Sequence, residues 1–294
     1  MTDKKETVGG KRVKKESSSK AVFMRLVKNP SAMAGFAVFM VLVILAILSP
    51  YITPYRYDQA DVSAIFQVPS LKHLFGTDKF GRDVFTRILY GGRYSLSISF
   101  ISVVFAAIAG IVIGAVCGYF GGILDDVVMR FLDIFQAIPG ILLTICISAA
   151  LGSGFDKTIF ALSITRIPGI ARLMRGSVMK VKDMEYLEAA EAIGCSKFRM
   201  IFKYCVPNAI APVIVNVTMG VASTVLSLSS LSYLGLGIRP PIPEWGALLN
   251  EAKAEILTHP YMIVFPGIFI ALTVLSLNLL GDGLRDALDP KLKN

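Results

Sequence analysis

The sequence predicts an all-α, polytopic membrane protein with six transmembrane helices and both termini in the cytoplasm. Three observations carry that reading. Of the 294 residues, 54% are hydrophobic and only 17% are charged, against roughly 25% charged in soluble domains. The apolar residues fall in long uncharged runs, and about 18 such residues suffice to cross a ~30 Å hydrocarbon core as a helix. The basic residues are unevenly spread about those runs. With an even number of crossings, twenty lie on the side of the termini, nine on the other, and Arg166 falls within the membrane. An excess of Lys and Arg marks the cytoplasmic side.

Residues 1–31 form a basic cytoplasmic tail with nine Lys and Arg before the first apolar run. Such a polar stretch buries nothing and is predicted to be disordered. Its clustering accounts for much of the net charge of +9 as a membrane flank, so no nucleic acid is invoked. The first transmembrane helix lies within 32–52. It is longer than a signal-peptide core and starts too late to be one, so it stays as an anchor. Pro50 and Pro54 mark its exit, since proline cannot donate to the preceding turn.

Residues 53–93 form an extracytoplasmic loop, long enough to need some structure of its own; a short helix is expected at Asp83–Tyr90. The remaining five helices fall within 94–283. The first of them lies within Tyr94–Leu124, where Ala106, Gly110, Gly114 and Gly118 recur every four residues. Small residues at that spacing let two helix backbones approach closely in lipid. The next fits within Val128–Leu151, around Pro139-Gly140. The fourth span, Thr158–Met174, is interrupted by Arg166 and Pro168. An arginine at mid-membrane costs about 2.5–3.5 kcal/mol on insertion scales and faces protein or water. Arg166 therefore has two readings, a wall of a substrate path or an intramembrane pair with Asp133 or Asp156. Helices within Ala209–Tyr233 and Tyr261–Leu280 complete the set, and 284–294 form a second cytoplasmic tail. Between these two, Pro240, Pro241 and Pro243 precede a helix-like stretch, Trp245–Leu257. Pro241, Pro243 and Trp245 are read as a platform for an extracytoplasmic binding protein, or Trp245 as an interfacial anchor.

The loop 183–208 carries the most information. Met184–Ile193 is rich in Ala, Glu and Leu, which favour helix. Gly194 permits a turn that residues with a Cβ resist, and Ser196 can cap a second short helix, Lys197–Tyr204. Pro207 is expected to end that helix. Ala189, Ala190, Ile193 and Phe198 are apolar residues in a polar loop. The pattern leaves open whether they meet a partner or lie on the membrane surface.

No G-x-x-x-x-G-K-[ST] occurs, so ATP chemistry would have to come from another chain. The four cysteines are scattered without a C-x-x-C spacing, and His73 and His259 are isolated, so no metal site and no catalytic constellation is predicted.

Glu188-Ala189-Ala190, Gly194 and Pro207 resemble the EAA loop of bacterial ATP-binding-cassette (ABC) importers. Tyr204 and Val206 stand where the consensus favours Ile and Leu. The resemblance extends over nearly the whole chain. Phe75-Gly-Thr-Asp-Lys-Phe-Gly-Arg-Asp-Val-Phe-Thr-Arg with Tyr90-Gly-Gly-Arg-Tyr-Ser-Leu is similar to the first-loop signature of C-type permeases of dipeptide and oligopeptide importers. Arg166-Ile-Pro-Gly-Ile-Ala-Arg, Leu231-Ser-Tyr-Leu-Gly-Leu-Gly-Ile, Pro243-Glu-Trp-Gly and Gly281-Asp-Gly-Leu-Arg-Asp-Ala-Leu-Asp-Pro are similar to the same group.

The resemblance implies a type I ABC importer fold in the bacterial inner membrane. It also implies a homologous B-type permease, two ATP-binding subunits that hold ATP and Mg, a substrate-binding protein and a peptide substrate. The EAA loop would couple the chain to an ATPase. A nickel or metal-chelate importer is the close alternative. An ion-coupled secondary transporter and a membrane scaffold are the more distant ones.

Overall fold

The computed structural model describes residues 18–288, with side chains from Val22 onward. Among these residues the chain is helical, with one isolated bridge between Thr77 and Asp83.

α1 (Ser18–Lys28) and α2 (Pro30–Ile52) open the fold. Residues 1–17 of the tail lie outside the described residues, but the tail's second half is helical and not disordered. Val22 and Leu26, one turn apart, are half-buried, and α1 packs against α2 and the C-terminal helix. Asn29 caps α2 by accepting from Ala32 N at 3.3 Å, and Pro30 follows at the first helical position. There the lost N–H is no cost.

α3 (Val84–Phe120) runs for 37 residues, about 55 Å at 1.5 Å per residue. The separate helix expected at Asp83–Tyr90 is its first two turns. Asp83 is the reason. Its Oδ2 accepts from Thr86 N and Thr86 Oγ1 at 2.7 Å, which starts the helix ten residues before the apolar run. Gly91 and Gly92 do not break it, because the Trp245 side chain and the Pro243 carbonyl pack onto them.

The third expected span is two helices, α4 (Gly122–Ala137) and α5 (Gly140–Leu151), bent by 88°. Pro139 forces Ile138 into an extended conformation at the break. Pro168, by contrast, lies inside the continuous α6 (Phe155–Met179). α6 lies along α3, and the Ala106–Gly118 face is the seam. A Cβ on Gly114 would stand 2.2 Å from the Ala171 carbonyl, and on Gly118 2.7 Å from that of Arg175.

After the loop that follows α6, which holds α7 (Glu185–Ala192), α8 (Lys197–Arg199) and α9 (Val206–Ala209), come α10 (Ala211–Tyr233), α11 (Trp245–Ala252) and α12 (Tyr261–Leu288). α12 extends eight residues past its expected end, into the stretch read as a tail. α2, α3, α10 and α12 are long and apolar enough to cross a membrane, and the bent α4–α5 pair makes a fifth crossing if it counts as one. The remaining expected span, the fourth along the chain, is α6, which is long enough but carries Asp156, Lys157, Arg166, Arg172 and Arg175. Its charges keep it from qualifying by composition. It is held between α3, α5 and α10.

Candidate functional site

Three places in the fold gather the residues singled out in the sequence. The first is the loop after α6. α7 sits with Leu187 and Ala190 buried in a cluster that includes Ala115 of α3, Met174 and Val178 of α6, and Met200, Ile201 and Cys205. Ala190 is among the residues that the pattern leaves to a partner or the membrane surface, but helical spacing puts it one turn from Leu187 on the inner face. Glu188, Ala189, Ile193 and Phe198 are exposed; Ile193 and Phe198 are 84% and 73% accessible.

α7 ends in a Schellman motif. Gly194 N donates to Glu191 O at 2.9 Å and Cys195 N to Ala190 O at 3.1 Å, and Gly194 has φ +76°. Those two bonds satisfy carbonyls the helix end leaves free. Ser196 occupies the N-cap position of α8 without a side-chain cap bond. Pro207 does not end the second helix. α8 runs through a π-turn, Met200–Cys205, into α9, where Pro207 sits in the first turn. The wider π-turn leaves room for the proline ring that an α-turn denies.

The second place is mid-height between α6 and α10. Arg166 is the twelfth of 25 residues in α6 and Ser223 the thirteenth of 23 in α10. Both terminal nitrogens of Arg166 donate to Ser223 Oγ at 3.0 Å. Neither expected carboxylate is its partner. Asp133 of α4 pairs with Arg172 instead, and Asp156 makes no ion pair with Arg166.

The third place is the opposite end from α7. Trp245 is neither a platform nor an anchor, being 1% accessible. Its indole Nε1 donates to Ile88 O at 2.9 Å and its backbone N to Ser95 Oγ at 3.1 Å. Pro243 is buried beside it, while Pro241 is exposed.

Two carboxylates that sequence reasoning passed over, one buried and one half-buried, organise this end. Glu244, fully buried, caps α11, accepting from Gly246 N and Ala247 N at 3.0 Å and from Ser95 Oγ at 2.9 Å. Burial pushes its carboxyl above the ordinary value, against the pull of those hydrogen bonds. Glu251 accepts from Arg87 Nη1 and Nη2 at 2.9 Å and also pairs with Arg82. Both arginines reach Asp78 Oδ2 at 2.7 Å. Burial opposes ionisation of Glu251, yet the Arg87 hydrogen bonds and the charges of Arg87 and Arg82 hold its carboxyl below the ordinary value. His73 Nδ1 lies 2.9 Å from Asp83 Oδ1, bracing the cap of α3. The available signal was the Pro-Glu-Trp-Gly stretch before a helical pattern, since Glu is a workable N-cap acceptor there. No group of three or more His, Cys, Asp or Glu suited to a metal occurs among the described residues.

Residues 110–294 match the family described as "Binding-protein-dependent transport system inner membrane component". Residues 17–69 match "N-terminal TM domain of oligopeptide transport permease C". Over 272 residues the chain is 42% identical to the dipeptide transport system permease protein DppC of Alkalihalophilus pseudofirmus, covering 92% of this chain and 90% of that one. It is 40% identical over 271 residues to the glutathione transport system permease protein GsiD of Pectobacterium atrosepticum, with the same two coverages. An inward-facing structure of the methionine ABC transporter MetNI shares the fold, with a TM-score of 0.55 at 19% identity over 69% of this chain and 97% of that one.

Proposed function

The chain belongs to the binding-protein-dependent inner-membrane transport components, as a C-type permease of the dipeptide/oligopeptide ABC importer family, and on that premise we propose that it forms half of a path for short peptides. Members of this family are inner-membrane permease subunits and not enzymes; ATP hydrolysis resides in partner subunits. The partners proposed are a homologous B-type permease, two ATP-binding subunits that hold ATP and Mg, and an extracytoplasmic binding protein that delivers the peptide. Peptide cargo is supported by relatives named for dipeptide and glutathione transport, so a nickel or metal-chelate cargo is not retained.

One observation carries the coupling role. The loop at α7–α8 has a buried face locked to α3 and α6 through Leu187 and Ala190, and an exposed face bearing Ile193 and Phe198. An ATPase cleft that covers the exposed face grips a body continuous with two membrane helices. Closure of the ATPase dimer then moves those helices as a rigid unit, which alternates access to the path. The Ala106, Gly110, Gly114 and Gly118 seam supplies the stiffness.

The test is purification of the tagged chain in mild detergent, followed by reconstitution. Two ATPases and a second permease should accompany it, and labelled dipeptide should enter proteoliposomes only with ATP and binding protein. Recovery of a lone chain that transports by itself would overturn the proposal.

A further inference from the structure

α10 carries a polar stripe. Asn216, Gly220, Ser223, Ser227 and Ser230 recur every three or four residues and so share one face of the helix. Asn216 and Ser223 are exposed and Ser227 is half-buried, in a helix otherwise apolar enough to cross a membrane. Ser227 and Ser230 donate to carbonyls of their own helix at 2.9 Å, but a charged side chain at such depth faces protein or water, not lipid.

Arg166 joins the stripe at mid-height. Its Nη2 stands only 2.7 Å from where a Cβ on Gly220 would lie, so the missing side chain makes room for the guanidinium. The Ser223 hydroxyl gives its own proton to Gly220 O at 3.0 Å and therefore meets Arg166 through its lone pairs. Among the described residues no carboxylate pairs with Arg166. Among the described residues one neutral hydroxyl is its only side-chain hydrogen-bond partner, although a guanidinium offers five donors in a fork that fits a carboxylate with two parallel bonds.

We infer that the Arg166–Ser223 pair is a subsite of the translocation path that receives the terminal α-carboxylate of the peptide, an assignment resting on the peptide-permease reading above. The terminal carboxylate is the one anionic group that peptides of every sequence share. A hydroxyl holds the guanidinium in place while the subsite is empty and yields to an anion more readily than a resident carboxylate would. Ser227 and Asn216 extend the polar wall one or two turns to either side for the peptide backbone.

The test uses the complete importer in proteoliposomes, with dialanine and its C-terminal amide as the two probes. In Arg166→Gln, uptake of the free acid should fall about tenfold or more, the scale of a charge-assisted hydrogen bond, while amide uptake changes less than about twofold. Arg166→Lys should recover part of the free-acid uptake, because the charge remains and the fork is lost. Assembly, followed in the same preparations, should match the parent complex. Comparing each variant with its parent on the same binding protein cancels any preference of that protein. Equal loss of acid and amide, or loss of assembly, would make Arg166 a structural cation and overturn the subsite. Unchanged free-acid uptake in Arg166→Gln would overturn it as well. If the parent complex carried neither probe, the peptide-permease reading would fall and the subsite with it.

Discussion

At Gly194 one backbone torsion decides the shape of the exposed loop. The residue sits at φ +76°, and a Cβ there would meet nothing within 4 Å. Any penalty on substitution is therefore torsional and not steric. A β-branched residue in that region costs about 1–2 kcal/mol or more, whereas Asn tolerates it. Gly194→Val should break the Schellman turn, move Phe198 away from Ile193 and lower the ratio of dipeptides carried to ATP hydrolysed. Gly194→Asn should keep both. Coupled uptake measured on the two variants checks this, and equal coupling in both would refute it. Local chemistry of this kind is legible in a sequence, and so was the exposure of Ile193 and Phe198 in a polar loop. Ala190, Trp245 and Ser223 were not legible in the same way. Which face of a short helix turns inward, or whether a tryptophan is covered, depends on residues far along the chain, such as Ile88 for Trp245.

Among the elements, the α3–α6 seam is a close backbone approach. Gly114 faces the Ala171 carbonyl at a distance that admits no side chain, while Gly176, on the same α6, has open space around it. Gly114→Val should destabilise the chain by about 1–3 kcal/mol through overpacking. Gly176→Ala should be neutral or slightly stabilising, since alanine is the better helix former by about 1 kcal/mol. Midpoint temperatures in mild detergent separate the two, and equal shifts would contradict the seam. The four-residue spacing of small side chains announced this contact, because packing in lipid demands it wherever it occurs. The two prolines were harder to read. Pro139 bends its span by 88° while Pro168 leaves α6 continuous. The difference lies in what surrounds them: Pro168 is buried among neighbouring helices, whereas Ile138 and Pro139 are exposed.

Across the whole molecule, α3 links two clamps. At one end Arg87, in its first turn, is tied to Asp78 and to Glu251 of α11; at the other, Ala115 packs in the cluster that seats α7. The partners of the first clamp lie 164 residues apart, beyond the reach of any local pattern. The charge counts that gave orientation treat these residues only as loop charges. The clamp has a pH signature. Glu251 is held below its ordinary value, so its contribution to stability is complete above roughly pH 4.3 and is lost as pH falls through the lower folded value. Glu244 is held above its ordinary value by burial, so it runs the other way: its ionisation penalty is present at neutral pH and relieved in acid. In Glu251→Gln, midpoint temperature in detergent should drop at pH 7, because Arg82 and Arg87 are left to share Asp78 as counter-charge; the loss should stay below the about 3–5 kcal/mol of a buried charge left with no partner. The gap between parent and variant should then narrow as pH falls below about 4, as the parent's own Glu251 takes up its proton. A gap that stayed constant into acid would show that Glu251 contributes by shape alone, and that the clamp on α3 does not depend on its charge.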